Sequence, residues 1–358
     1  MMLPNSISHS PNANGTQTMP RILILFLLVA GLGACHPAYP TGADELKSSP
    51  GGPLTVRFFG VSTILLDDGN TAIMTDRFFS RPAAGKLLFG RIAPDKDRIA
   101  DGLARGDVAK LSAVFTVHSH FDHAMDAPRV ARQKHALLIG SRSTANIALG
   151  EGFPERCFRL IDGNRQRFAI GGFDVTVFRS LHSIGVPGGE ASEGTIDAPL
   201  HPPVAYTDYK EGDSYSFLID NGGFRIIIHA SSYYIPGMYD GIEADVVFLG
   251  IATLGKKSKE FVSKYWREVV TNTKAKLVVP IHWDDFSVAL DDRPLRPSPY
   301  PVEDFPWAME MLRALAGKDD VAIRFMPLYV PVDIEAAPGL PPRARPAPRP
   351  EPMPSSCP

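Results

Sequence analysis

Apolar residues in this chain fall mostly into short runs bounded by Gly, Pro, Asn and Asp, the pattern of strands separated by turns. From Leu54 the runs LTVRFFG, STILLDD and TAIMTD predict three strands, with Asp68, Gly69 and Asn70 as the turn between the last two. A buried strand is predicted over 112–117 (SAVFTV), between helices over 97–111 and 127–135. A strand over 137–140 and a helix over 143–149 follow. Two hairpins are predicted, 166–170 with 173–179 across Gly171 and Gly172, and 214–220 with 224–229 across Asn221, Gly222 and Gly223. Strands over 246–250 and 276–281 enclose an amphipathic helix over 258–271, with Phe261, Tyr265 and Val269 on one face. A helix over 301–316 and the last strands within 321–332 complete a domain spanning 54–332. Strands in two mixed sets interrupted by helices exclude a regular βαβ alternation and agree with layered sheets covered by helices.

Three stretches depart from this rhythm. Residues 81–92 are apolar and basic, with Leu87, Leu88 and Phe89 in a row, which fits either a contact with lipid or a greasy substrate, or packing under the domain. Residues 183–213 are poor in apolar side chains, and a loop of about 30 residues inside a compact domain is usually functional. At the C-terminus nine of the last 24 residues are proline, so 333–358 is read as a tail that builds no core.

The N-terminal pattern predicts export. Arg21 precedes an unbroken apolar run from Ile22 to Ala30, and 13 residues separate Arg21 from Cys35, too few for a membrane span of about 20. Leu32-Gly33-Ala34-Cys35 resembles a bacterial lipobox, whose cysteine is lipidated; a cleaved signal with a chance cysteine is the alternative. Residues 1–35 are thus read as leader and signal, with Met19 as the expected start, and 36–53 as a tether. The expected location is the cell envelope, with a membrane partner reached through the lipid on Cys35; a soluble periplasmic or secreted form is the alternative. Net charge is −2 over 358 residues, which gives no electrostatic case for nucleic acid as partner. Cys35, Cys157 and Cys357 lie too far apart for a thiolate metal cluster.

The chemistry concentrates in VHSHFDHAMD, where His118, His120, Asp122 and His123 fall within six residues. On a helix His118 and His120 would point about 200° apart, whereas in extended chain residues two apart share a face. The stretch therefore serves one metal only as it leaves a strand. Asp126 then caps a following helix with Pro128 in its first turn. Imidazole and carboxylate are zinc-type ligands.

The spacing His-x-His-x-Asp-His resembles the signature of the metallo-β-lactamase superfamily, and the likeness extends over about 54–332. The phrase GVSTILLDDGNTAIMTDRFFS is similar to the opening of the branch holding ascorbate-6-phosphate lactonases and N-acylphosphatidylethanolamine phospholipases, with Val61 and Arg77 where that branch usually has His and Pro. The resemblance implies the four-layer αββα sandwich. It implies that His118, His120 and His182 hold one metal and Asp122, His123 and His282 another, with a shared hydroxide as nucleophile and Asp122 orienting it. Zinc is the expected cofactor, as one or two ions, with manganese and iron as the other candidates. Asp76, Ser232 and His229 are candidates for support around the metals. Where the family commonly carries a bridging Asp, this chain reads His229-Ala230-Ser231-Ser232, and an ungapped reading puts Ser232 in its place. The implied activity is metal-assisted hydrolysis of an ester, lactone or phosphodiester on a small-molecule or lipid-derived substrate. A metal-binding scaffold without catalysis and a di-iron oxidoreductase are the alternatives.

Overall fold

The computed structural model describes residues 44–183, 189–291, 293–341 and Cys357. Among these residues, fourteen short strands form two sheets of seven. The first half of the chain builds β1 (Thr55–Phe58), β2 (Ile64–Asp67), β3 (Ala72–Thr75), β4 (Ala113–Phe115), β5 (Leu137–Gly140) and β6 (Phe158–Leu160). The second builds β7 (Gln166–Ile170), β8 (Phe173–Ser180), β9 (Ser214–Asn221), β10 (Phe224–His229), β11 (Val246–Gly250), β12 (Leu277–Ile281), β13 (Ala322–Ile323) and β14 (Val332–Asp333). The orders are β14-β1-β2-β3-β4-β5-β6 and β13-β12-β11-β10-β9-β8-β7. In the first sheet the pairs from β14 to β3 are antiparallel and those from β3 to β6 parallel. The second sheet is likewise antiparallel from β7 to β10 and parallel from β10 to β13.

Parallel neighbours need crossovers, and these supply the helices. They are α1 (Ala84–Phe89), α2 (Lys96–Arg105), α3 (Phe121–Ala124), α4 (Ala127–Gln133), α5 (Arg142–Gly150), α6 (Lys259–Trp266) and α7 (Phe305–Asp319). Strand alternation sorts side chains into layers. In β10, Phe224, Ile226 and Ile228 join Val56, Ile73, Val177 and Phe217 between the sheets. Ile227 faces the other way, onto Val262 and Trp266 of α6 and Leu312 of α7. On the outer face of the first sheet, Leu65, Met74 and Val114 meet Leu103 of α2 and Val130 of α4. The result is the four-layer helix–sheet–sheet–helix sandwich.

Several local readings are revised. The helix expected over 97–111 ends at Arg105, where Gly106 follows. The helix expected over 258–271 is α6 followed by a π-turn, Arg267–Thr271. The last strands, expected together, part company: β13 edges the second sheet and β14 the first. Ordered chain also exceeds 54–332. Glu45 bridges Phe325 and Leu46 is buried in the central core. Ile334 and Ala337 are buried there too, and Cys357 forms a disulfide with Cys157 while its amide donates to the His135 carbonyl. Cys35 and the rest of the expected leader lie outside the described residues, as do 342–356 of the expected tail. No helix among the described residues is long and apolar enough to cross a membrane.

Candidate metal centre

The C-terminal ends of β4, β8 and β12 deliver the six expected ligands. Three-residue β4 is anchored by the Asp76 amide, which donates to the Phe115 carbonyl, and by the Val117 amide, which donates to Asp76 Oδ1. The chain then stays extended through His120 (φ −61°, ψ 155°) before turning into α3, which carries Asp122 and His123. His182 follows β8 and His282 follows β12. These segments meet as two triads, His118/His120/His182 and Asp122/His123/His282, each with ligand atoms within 4.8 Å of one another.

The second triad is tight. His123 Nε2 and His282 Nε2 are 3.2 Å apart, and Asp122 Oδ2 lies 3.3 Å from the first and 3.2 Å from the second. Three ligands about 2.0 Å from a tetrahedral ion are themselves ~3.3 Å apart, so the triangle has the size of a metal site. On its far side His123 Nδ1 is 2.9 Å from Asp76 Oδ2. The carboxylate accepts that proton, which turns the Nε2 lone pair toward Asp122 and His282. Ser62 Oγ donates to the same oxygen at 2.5 Å. Asp76 is therefore placed behind a ligand rather than between the two triads. Burial opposes charge on His123, but Asp122 and Asp76 hold its pKa up to about 10 without an ion; despite its own burial, Asp122 is held well below the usual carboxylate range by His123 and His282.

The first triad is a cluster of neutral imidazoles. The rings of His118 and His120, His118 and His182, and His120 and His182 are centred 4.7, 4.7 and 4.6 Å apart. Burial, reinforced by neighbouring histidines, pushes His118 well below its ordinary value and His182 down to about 3. Burial likewise lowers His120 to about 4, against the pull of Asp122. Both ring nitrogens of His118 are buried without a hydrogen-bond partner. Buried polar atoms are rarely left so, and a metal ion would satisfy one of these. The donor set and its spacing fit one or two zinc-type ions.

The predicted long loop does reach this centre. Ser192 presents its carbonyl 3.2 Å from His120 Nε2. A carbonyl only accepts, so Nε2 carries the proton and Nδ1 is left to bind an ion. The loop is strapped to α5: Asn146 Nδ2 donates to the Ile196 carbonyl at 2.5 Å and the Ile196 amide to Ser143 Oγ at 3.0 Å. The Ser119 amide, inside the ligand motif, donates to the Glu211 carbonyl.

Other expected residues lie elsewhere. His229 Nε2 donates to the Tyr233 carbonyl at 2.6 Å, and its Nδ1 lies 2.8 Å from Ser216 Oγ and 3.0 Å from the Tyr239 hydroxyl. It braces the turn after β10, and burial lowers it to about 4. Ser232 Oγ donates to the Ala252 carbonyl. Asp126 does not cap α4 with its side chain, as expected, but accepts from the Phe79 and Ser80 amides and from Ser80 Oγ. Asp285 closes a turn on Ser287, whereas Asp284 pairs with Arg81 at 2.6 Å. Nothing local in the sequence marked Arg81, Ser62 or the Ser192 carbonyl. An apolar wall, equally unmarked, flanks the second triad. Phe286 is 6.0 Å from His282, Phe121 is 6.0 Å from Phe286, and Tyr206 is 5.8 Å from Phe121, centre to centre.

No family model matches the chain. Proteins called "UPF0173 metal-dependent hydrolase" from Staphylococcus aureus strains bovine RF122 / ET3-1 and Newman are each 23% identical over 240 residues, 67% of this chain and 90% of theirs. The chain is a relative of these metal-dependent hydrolases. Among solved structures, Igni18, a metallo hydrolase from Ignicoccus hospitalis KIN4/I, is 15% identical, with 78% of this chain and 97% of that chain covered and a TM-score of 0.47. YhfI from Bacillus subtilis, a metallo-beta-lactamase fold protein, is also 15% identical, with 78% and 98% covered and a TM-score of 0.43.

Proposed function

We propose that this chain is a metal-dependent hydrolase of the metallo-β-lactamase superfamily, acting in the cell envelope on an ester, lactone or phosphodiester that carries an apolar group. The observation behind the reading is the Asp122/His123/His282 triangle, three acceptor atoms 3.2–3.3 Å apart with Asp76 fixing the tautomer of one. When bound, zinc-type ions supply Lewis acidity and a water acidic enough to serve as nucleophile near neutral pH. Asp122 would hold one ion and orient that water through its carboxylate. His118, His120 and His182, kept neutral by burial, would hold the other ion. Phe121, Tyr206 and Phe286 exclude water from one flank and offer a surface for an acyl or alkyl group.

The apolar character continues outward. Leu181, beside His182, is 46% exposed, and Val288, two residues past Phe286, is 44% exposed. Phe89 on α1 is 69% exposed, while Leu87 of the same helix packs against the cluster that holds Phe121. This supports a lipid-derived substrate, and with it the likeness to the phospholipase-containing branch. The export signal and lipobox at Cys35 support an envelope location, as does the Cys157–Cys357 disulfide, a bond favoured by oxidising compartments.

The test is elemental analysis of the purified protein with an activity panel of esters, lactones and phosphodiesters, each with short and long alkyl chains. Turnover is expected to require metal, to favour the longer chains and to disappear in Asp122→Ala with the fold retained. Unchanged turnover in Asp122→Ala would remove the hydrolase reading. Metal binding without turnover on any class would leave the scaffold reading in its place.

A further inference from the structure

Behind His282 lies an arrangement that the six ligands do not account for. Arg81 and Asp284 form an ion pair at 2.6 Å with both side chains essentially inaccessible to water. The other oxygen of Asp284 accepts from the Val61 amide at 2.7 Å. The Val61 carbonyl in turn accepts from the His282 amide at 2.6 Å. Val61 and His282 both sit at positive φ, +51° and +56°, a region costly for any non-glycine residue and especially for a β-branched one. Such conformations persist only when their surroundings over-determine them. Here each strained residue is gripped by the next, and the chain of grips ends at a buried carboxylate.

The surroundings are cut to fit the pair. A Cβ at Gly60 would overlap the Arg81 guanidinium, and Gly60 itself is at φ +83°. Arg81 Nη1 also reaches the carbonyls of Asp285 and Val288 at 3.4 Å, on the loop that sets Phe286 against His282. Buried ion pairs often add little net stability, so their retention calls for another role.

We infer that Asp284, held by Arg81, is a positioning residue for the Asp122/His123/His282 site: through the Val61 backbone it fixes the strained main chain that aims His282 at its ion. This rests on the metal-centre reading above. Loss of a comparable supporting partner typically weakens metal affinity about tenfold to a hundredfold.

Single substitutions would strand a buried charge, so the test uses Arg81→Met as background. Arg81→Met/Asp284→Asn keeps an oxygen for the Val61 amide; Arg81→Met/Asp284→Leu removes it. Both are titrated with Co(II), following visible absorption and bound equivalents, with His182→Ala and His282→Ala identifying the two sites. The expected result is that the Asn variant retains the His282 site while the Leu variant loses about tenfold or more of its affinity there, with the His118/His120/His182 site unchanged in both. Equal retention, or equal loss, in the two variants would overturn the inference, as would a Leu variant whose only change is a lower melting temperature. Wild-type protein that binds no Co(II) would instead overturn the metal-centre reading, and this inference with it.

Discussion

Glu303 offers a test of the energetics away from the metals. It is 5% exposed, and its Oε1 accepts from the Gly255 and Asp304 amides, each at 2.8 Å. Its Oε2 is buried with no hydrogen-bond partner. Burial raises its pKa from 4.5 to about 7, although backbone donors at Gly255, Asp304 and Thr253 pull the other way. Between these values the folded protein keeps a proton that the unfolded chain has released, so stability falls as pH rises from 4.5 through 7. The rise from 4.5 to about 7 corresponds to roughly 3 kcal/mol, most of which falls between pH 5 and 8. Glu303→Gln keeps an oxygen for the two amides and cannot ionise. Urea unfolding of metal-saturated wild type and variant at pH 5, 6, 7 and 8 should give curves that diverge, the wild type losing about 2–3 kcal/mol relative to Gln across the range. Other titrating groups, metal ligands included, cancel in the difference. Parallel profiles would show that the buried carboxyl is solvated or paired in the folded protein and refute the assigned cause. The position matters to the site as well, because Thr253 Oγ1 lies 2.8 Å from Ser183 Oγ, next to His182.

Two other expectations follow from the site and the leader. Asp76 spends both oxygens on Val117, Ser62 and His123, so it does not bridge the triads, and Ser232 offers only a neutral hydroxyl. A second dication must then enter beside the first with no carboxylate of theirs between them, so metal titration should show two unequal affinities, with one equivalent surviving gentle chelation; two equal, tight equivalents would show that another group bridges. For the N-terminus, mass spectrometry of the mature protein should find Cys35 as an acylated first residue, and a mature chain beginning elsewhere without acyl groups would refute the anchor.

Much of this molecule is written locally. Strand positions follow from apolar runs and turn residues, so β5, β7, β11 and the β9–β10 hairpin fall at or within a residue of their expected places. The candidate ligands of the motif are equally legible, because a metal needs lone pairs converging at short range and His-x-His-x-Asp-His at a strand end supplies them within six residues. His182 and His282 carried a weaker signal, a histidine just past a strand, which became meaningful only through the family resemblance. What the tertiary structure decided are pairings between distant residues. Arg81 and Asp284 stand 203 positions apart, and nothing in either neighbourhood announces the other. Asp126 had the local features of a helix cap, yet its oxygens went to Phe79 and Ser80, 47 and 46 positions earlier, where buried amides needed an acceptor. His229, a candidate for support around the metals, faces a turn and two hydroxyls instead, since strand alternation points it into the helix-covered side. The split of β13 and β14 between sheets obeys the same rule. Periodicity states which face of an element is apolar, and only the assembled sandwich determines which edge is open to receive it.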